Sequence, residues 1–308
     1  MDVSFQMNKR KIFTYILWLY GLSFGFSILF FMGGLGNRTI FLFAFMLGYM
    51  LLPLIAVLIV QKIIYKERIA RPLLIIRRPN WWWLFAMIIP LLLIGLTALV
   101  AILFPGVTLD LDMRNYLNTL DPTASAEMEK LFKMLPFHPL WLLVGQSLLG
   151  GITINAIFAF GEELGWRGFL LQEFRSLGFW KASLLIGLIW GIWHAPLIIF
   201  AGHNYPSTPI LGIVMMTLFC ILMSPILAFI TIKSRSIFPA AFFHGIINSS
   251  ASLGIMIVAG GNSELLNGLN GLAGFIILLA LNVIILLRTR GTINAHYKDT
   301  FDLLKNHS

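Results

Sequence analysis

Apolar residues occupy this chain in long, nearly unbroken runs rather than in the period-two alternation of a half-buried strand. Eight such runs lie at about 12–33, 39–61, 82–104, 140–161, 181–201, 209–232, 237–258 and 271–288. Each is close to the ~20 residues that a helix needs to cross about 30 Å of hydrocarbon. The pattern predicts an all-α fold, a polytopic transmembrane helical bundle of about eight helices. The first run follows Lys9, Arg10 and Lys11 as the core of a signal peptide would. Its apolar stretch is too long for one and no small-residue cleavage pattern follows, so it is expected to remain in the mature protein. With no repeat, no low-complexity tract and no connection long enough to fold separately, residues 1–308 read as a single membrane domain.

Composition agrees with the pattern: 58% of residues are hydrophobic and 11% charged, which leaves too little polar surface to coat a soluble globule. The chain reads as a multi-pass protein of the cell membrane, with lipid as its main solvent. Its formal charge is +9, yet of its 22 Lys and Arg only Arg38, Arg114, Lys130 and Lys133 fall on the outer side when both termini are cytoplasmic. That asymmetry predicts cytoplasmic termini and an even number of spans. The excess charge thus reflects sidedness and anionic headgroups, and a nucleic-acid partner is excluded as an expectation.

Trp81, Trp82 and Trp83, after the basic segment 62–80, read as an interfacial anchor. The longest connection, 105–139, is expected to hold a short amphipathic helix, and the polar tail after Arg288 to be partly disordered or surface-bound. Cys220, the one cysteine, sits in the sixth run and reads as packing. His138, His203, His296 and His307 lie in connections or near the ends and are set aside as solvent-facing.

Ionisable groups at membrane depth cost a few kcal/mol each, about 3 on insertion scales, and mark functional sites by default. Three places carry them: Glu162, Glu163 and Arg167 at the end of the fourth run, Trp190 and His194 in the fifth, and His244 and Asn248 in the seventh. Glu163 and Arg167 are four apart and pair on one helical face, whereas Glu162, rotated by about 100°, is left spare. Trp190 with His194, and His244 with Asn248, share the same spacing, so three helices can present them to one polar cavity. A carboxylate in an apolar setting is a better base, and imidazole and carboxamide N–H groups can stabilise an oxyanion. Water activation and attack on a carbonyl is the chemistry these groups suit. No serine or cysteine stands beside a histidine as a nucleophile with its base would; Ser249 and Ser250 read as packing residues.

On these three ordered motifs, Glu-Glu-x-x-x-Arg, an aromatic with His four later, and His-x-x-x-Asn, the chain resembles the CAAX protease and bacteriocin-processing (CPBP, or Abi) family, which includes the Ras-converting CAAX endopeptidases. The motifs fall within about 160–250. Trp190 stands where the family commonly has Phe and keeps an aromatic wall on the substrate pocket. The resemblance implies an intramembrane endopeptidase in which Glu162 with His194 activates water, His244 with Asn248 stabilises the oxyanion, and Glu163 with Arg167 organises the site. Relatives have been described as metalloproteases, and Glu162, His194 and His244 are a possible zinc set. The His-Glu-x-x-His helix of common zinc proteases is absent, so a cofactor-free, glutamate-based mechanism is favoured. The expected partners are membrane lipid and a peptide or lipidated-protein substrate. The alternative is a non-catalytic role, as a bacteriocin-immunity factor or a peptide-binding or transport protein.

Overall fold

The computed structural model describes residues 6–261 and 264–305; His307 lies outside them. Its principal helices are α1 (Lys9–Met32), α2 (Thr39–Ile64), α3 (Trp81–Ala101), α4 (Pro122–Met134), α5 (Pro139–Glu173), α6 (Phe179–Ala201), α7 (Pro209–Ser234), α8 (Phe238–Met256), α9 (Leu272–Arg288) and α10 (Ile293–Lys305). Local chemistry explains several starts. The Asn8 side chain accepts the Lys11 N–H at 3.0 Å to cap α1. Asp121 accepts the Thr123 N–H at 2.9 Å, ahead of Pro122 at the first position of α4. Asn80 caps α3 through the Trp82 N–H and donates its own amide to the Ser234 carbonyl at 3.1 Å, tying α3 to the end of α7.

All eight apolar runs lie in helices, and the chain is a multi-pass helical membrane protein. Among the described residues, six helices are long and apolar enough to cross a membrane, or seven if α9 and α10, bent by 85°, count as one broken span. α8 stays outside that set because His244, Asn248 and its serines dilute its apolar character, and α9 alone has only 17 residues. The amphipathic helix expected in the outer connection is α4, none of whose residues is buried. Trp81 is 83% exposed, as an interfacial anchor should be.

Of the two forms expected for the polar tail, its described part takes the bound one rather than the disordered one: α10 buries Ile293, Tyr297 and Phe301 along one face, and the Tyr297 hydroxyl donates to the Leu171 carbonyl. That i, i+4, i+8 apolar stripe is sparse enough to be hidden by the polar residues around it. The all-α bundle is as expected; one two-residue pairing, β1 (Thr108–Leu109) antiparallel to β2 (Val258–Ala259), joins the two connections that follow α3 and α8.

Lipid provides no hydrophobic drive between helices, so close contact depends on small residues and buried polar bonds. Gly187 and Gly191, one turn apart on α6, rest on the backbone of α7; a Cβ on Gly187 would lie 2.6 Å from the Ile221 Cα. Gly151 of α5 and Gly245 of α8 face each other in the same way, with a Cβ on Gly245 falling 2.7 Å from the Ala156 nitrogen. At the end rich in basic residues, buried Lys11 bridges Glu67 and, at 2.8 Å, Glu173, joining α1, the connection after α2 and the end of α5.

These contacts hold the motif helices in register. Gly245→Ala is expected to destabilise the protein by about 2 kcal/mol, the range for overpacking, and to reduce activity by pushing His244 away from α5. Gly21→Ala, where an added Cβ meets nothing within 4 Å, should change neither. Thermal unfolding in detergent checks both, and equal effects would disprove the close-packing account.

Candidate active site

Helix α5 carries Glu162, Glu163, Trp166 and Arg167, α6 carries Trp190 and His194, and α8 carries His244 and Asn248. Around the two carboxylates α5 departs from regular geometry, widening into i→i+5 turns at Gly151–Asn155 and Leu164–Leu170. Such wide turns recur at functional sites because they redirect side chains without ending the helix. Glu162, Glu163, Arg167, His194 and His244 are all buried.

Glu163 and Arg167 pair as their spacing predicts, Arg167 Nη1 donating to Glu163 Oε1 at 3.2 Å. The same oxygen accepts from His244 Nδ1 at 2.9 Å, so the ion pair of α5 is anchored to α8. The Arg167 guanidinium lies over the Trp190 indole, 4.7 Å from the ring centroid, which adds α6 to the assembly. The pairing offsets part of the penalty of an isolated buried charge, while Glu163 Oε2 and Arg167 Nε and Nη2 are buried without a hydrogen-bond partner.

Glu162 is the spare carboxylate, but it is not unpartnered. Trp190 Nε1 donates to its Oε2 at 2.8 Å and Trp166 Nε1 at 3.3 Å. Both indoles bind the same oxygen, which orients the carboxylate and leaves Oε1 for the cavity. His194 Nδ1 meets the Trp190 carbonyl at 2.9 Å. A carbonyl only accepts, so Nδ1 carries the proton and the neutral ring keeps its lone pair on Nε2.

One cavity of about 280 Å³ is lined by Glu162, Trp190, His194, His244 and Asn248, together with apolar side chains that include Met46, Met50, Met216, Phe219 and Met223. The structure thus brings together the predicted base, both imidazoles and the carboxamide, and keeps Glu163 and Arg167 behind them. Glu162, His194 and His244 are the residues that a zinc ion would need here. Among the described residues no group of three His, Cys, Asp or Glu is arranged to hold a metal ion, so these three do not fit one as they stand.

Sequence reasoning missed the parts played by four residues. Trp190 was read as a wall residue and Trp166 was not singled out, and their indole N–H groups hold Glu162. Asn155 also lines the cavity; it sits seven residues before Glu162, two turns earlier on the same face, a spacing that was legible. His203, set aside as a solvent-facing histidine, is half-buried in the cavity wall, its ring stacked on His194 at 6.2 Å and 10°. Burial pushes its imidazole down to about 4, although part of the residue faces the cavity. His203 lies past the Gly202 turn, and no helical spacing connects it to His194.

Comparison with known proteins bears on the same segment. Residues 136–250 match the family model described as type II CAAX prenyl endopeptidase Rce1-like, a stretch that takes in all of the motifs and most of α5. Over 98 residues the chain is 36% identical to CAAX prenyl protease 2 of Methanococcus maripaludis. That alignment covers 30% of this chain and 36% of the relative, so the chain spans about a third of the length of the curated protein it matches.

Proposed function

With residues 136–250 matching the Rce1-like family model, we propose that the chain is an intramembrane endopeptidase of the CAAX protease and bacteriocin-processing family in which Glu162 is the general base. The observation that carries this reading is a carboxylate held by two indole N–H groups, at 2.8 and 3.3 Å, in a cavity shared with two imidazoles inside a helical bundle. A buried group supported on one oxygen is preorganised to act through the other.

Water in the cavity is oriented by the Nε2 lone pair of His194 and gives its proton to Glu162. The resulting hydroxide attacks the scissile carbonyl, and the protonated Glu162 then delivers the proton to the departing amine as the C–N bond breaks. The tetrahedral oxyanion needs donors. Asn248 supplies carboxamide N–H groups, whereas His244, whose Nδ1 faces Glu163, has an N–H for the cavity only as the imidazolium. Glu163 is then its counter-ion, and Arg167 keeps Glu163 in place. This refines the neutral-imidazole role expected from sequence.

The apolar side of the cavity suits an apolar side chain or a lipid chain, so the substrate class is a membrane-associated peptide or lipidated protein. The test is cleavage of a farnesylated peptide by the purified full chain in liposomes, with fragments identified by mass spectrometry. On the metal-independent mechanism proposed, activity should survive exhaustive treatment with 1,10-phenanthroline at better than about half its initial rate, well short of the loss that removing a catalytic metal causes. Loss of turnover that is restored by added zinc would overturn the metal-independent mechanism.

A further inference from the structure

The family match begins at residue 136, yet α1 and α2, which precede it, reach to the edge of the site. Helix α6 is interrupted at His194: regular geometry stops at Trp193 and a new helical stretch starts at Ala195. Pro196 has no N–H to offer the Ile192 carbonyl four residues back, so the helical ladder is weakened at the point where His194 enters the cavity. The His194 N–H closes on the Gly191 carbonyl at 3.1 Å, a tighter i→i+3 turn. The direction of the imidazole therefore depends on what holds its neighbours.

Trp193, the preceding residue, is fully buried and is held at both ends by the N-terminal helices. Tyr49 of α2 donates its hydroxyl to the Trp193 carbonyl at 2.7 Å, and its ring packs on the indole with centroids 4.5 Å apart. Trp193 Nε1 donates to Ser23 Oγ of α1 at 2.7 Å, while Ser23 gives its own proton to the Leu19 carbonyl. The indole in turn stands edge-on to the His194 ring, with centroids 5.0 Å apart and planes at 77°. Ser23, Tyr49 and Trp193 stand behind the cavity wall rather than in it. One further bond of the same kind reaches α6 from α1, Tyr20 donating to the Ile189 carbonyl at 2.9 Å, more than one turn before His194.

We propose that Tyr49 and Ser23 are positioning residues, a clamp on Trp193 that fixes the break in α6 and with it the direction in which His194 presents Nε2. The proposal rests on the endopeptidase reading above and extends it to the N-terminal helices, which thereby contribute to turnover without touching substrate. Tyr20 ties the same helices together but lies on the regular part of α6, so its loss leaves His194 in place.

The test compares Tyr49→Phe, Ser23→Ala and Tyr20→Phe in the purified full chain in liposomes, with a farnesylated peptide as substrate. Tyr49→Phe should lower kcat about 10- to 100-fold, the scale on which a displaced group loses rate, with KM within about twofold of wild type. Ser23→Ala should lower kcat about threefold or more. Added to Tyr49→Phe it should cost less than its own factor, because both act through Trp193. Tyr20→Phe should leave kcat within about twofold of wild type. A readout independent of turnover is carbethoxylation of His194 by diethyl pyrocarbonate, read by mass spectrometry and normalised to exposed His296 of the same molecule. Its rate should rise about threefold in Tyr49→Phe and in Ser23→Ala, the scale of one lost hydrogen bond, and stay unchanged in Tyr20→Phe.

Wild-type kcat in both Tyr49→Phe and Ser23→Ala, an equal loss in Tyr20→Phe, or a raised KM with kcat unchanged overturns the clamp. If Tyr49→Phe does not fold, Ser23→Ala decides by the same readings. If wild type cleaves no peptide while His194 carbethoxylation still responds to Tyr49→Phe and Ser23→Ala alone, the endopeptidase reading falls and the clamp stands. Cleavage with both kcat and carbethoxylation indifferent to these variants does the reverse, and absence of cleavage with indifferent carbethoxylation overturns both.

Discussion

Glu162→Gln is expected to abolish peptide cleavage, with kcat falling about 10³-fold or more, the scale of a lost general base. The glutamine carbonyl can still accept the Trp166 and Trp190 indole N–H groups that now bind Oε2, so the thermal unfolding midpoint should stay close to that of wild type. The pairing of lost turnover with retained stability is what separates a base from a packing residue. Initial rates on a farnesylated peptide, beside unfolding curves of the same preparations, provide the check. Wild-type-like cleavage by Glu162→Gln would end the assignment. So would a cellular phenotype, such as immunity to a bacteriocin, that persists undiminished in the variant, because binding alone would then be the function.

Arg167→Met carries the largest expected effect on stability. Removing the guanidinium leaves Glu163, fully buried, with His244 as its remaining partner, and breaking a buried pair by deleting one member typically costs about 3–5 kcal/mol. The variant also loses the cation stacked on Trp190, and with it the support of the indole that orients Glu162. Cleavage should therefore fall together with stability. Glu163→Gln combined with Arg167→Met removes the counter-ion that supports an imidazolium at His244, so His244 stays neutral, no uncompensated charge is left, and much of the stability should return without activity. If the double variant were no more stable than Arg167→Met alone, the charge-compensation argument would be wrong.

The parts of the site that could be read from the sequence are those determined within one helix. Glu163 and Arg167 sit four apart and do pair; His194 reaches back four residues to the Trp190 carbonyl; Glu162 was identified as the carboxylate left over. The unread parts are contacts between helices or between loops. Which groups would hold Glu162 depended on α6 lying against α5 closely enough for an indole to reach across; Gly187 and Gly191 seat α6 on α7, and Gly151 and Gly245 seat α5 on α8. His203 lies in a connection where no period applies, and its place beside His194 follows from a left-handed turn and from the hydrogen bonds of Tyr205 to Asn270 and of Ser207 to Glu264. The α10 helix was hidden for a related reason: three apolar residues in a polar stretch amount to a buried face only when a partner surface is known.

By itself, the sequence determined the solvent, the helical class of the fold, and the identities and local pairing of the groups that membrane depth makes costly. These are properties of runs and of single-helix periodicity, which twenty or so neighbouring residues specify without reference to the rest of the chain. Tertiary structure alone decided that the carboxylate, two imidazoles and a carboxamide share one cavity, that tryptophans rather than charges restrain Glu162, and that His244 turns its Nδ1 to Glu163. Helical spacing gives the direction of a side chain about its own axis, whereas the rotation and distance of each neighbouring helix come from packing summed over the whole bundle.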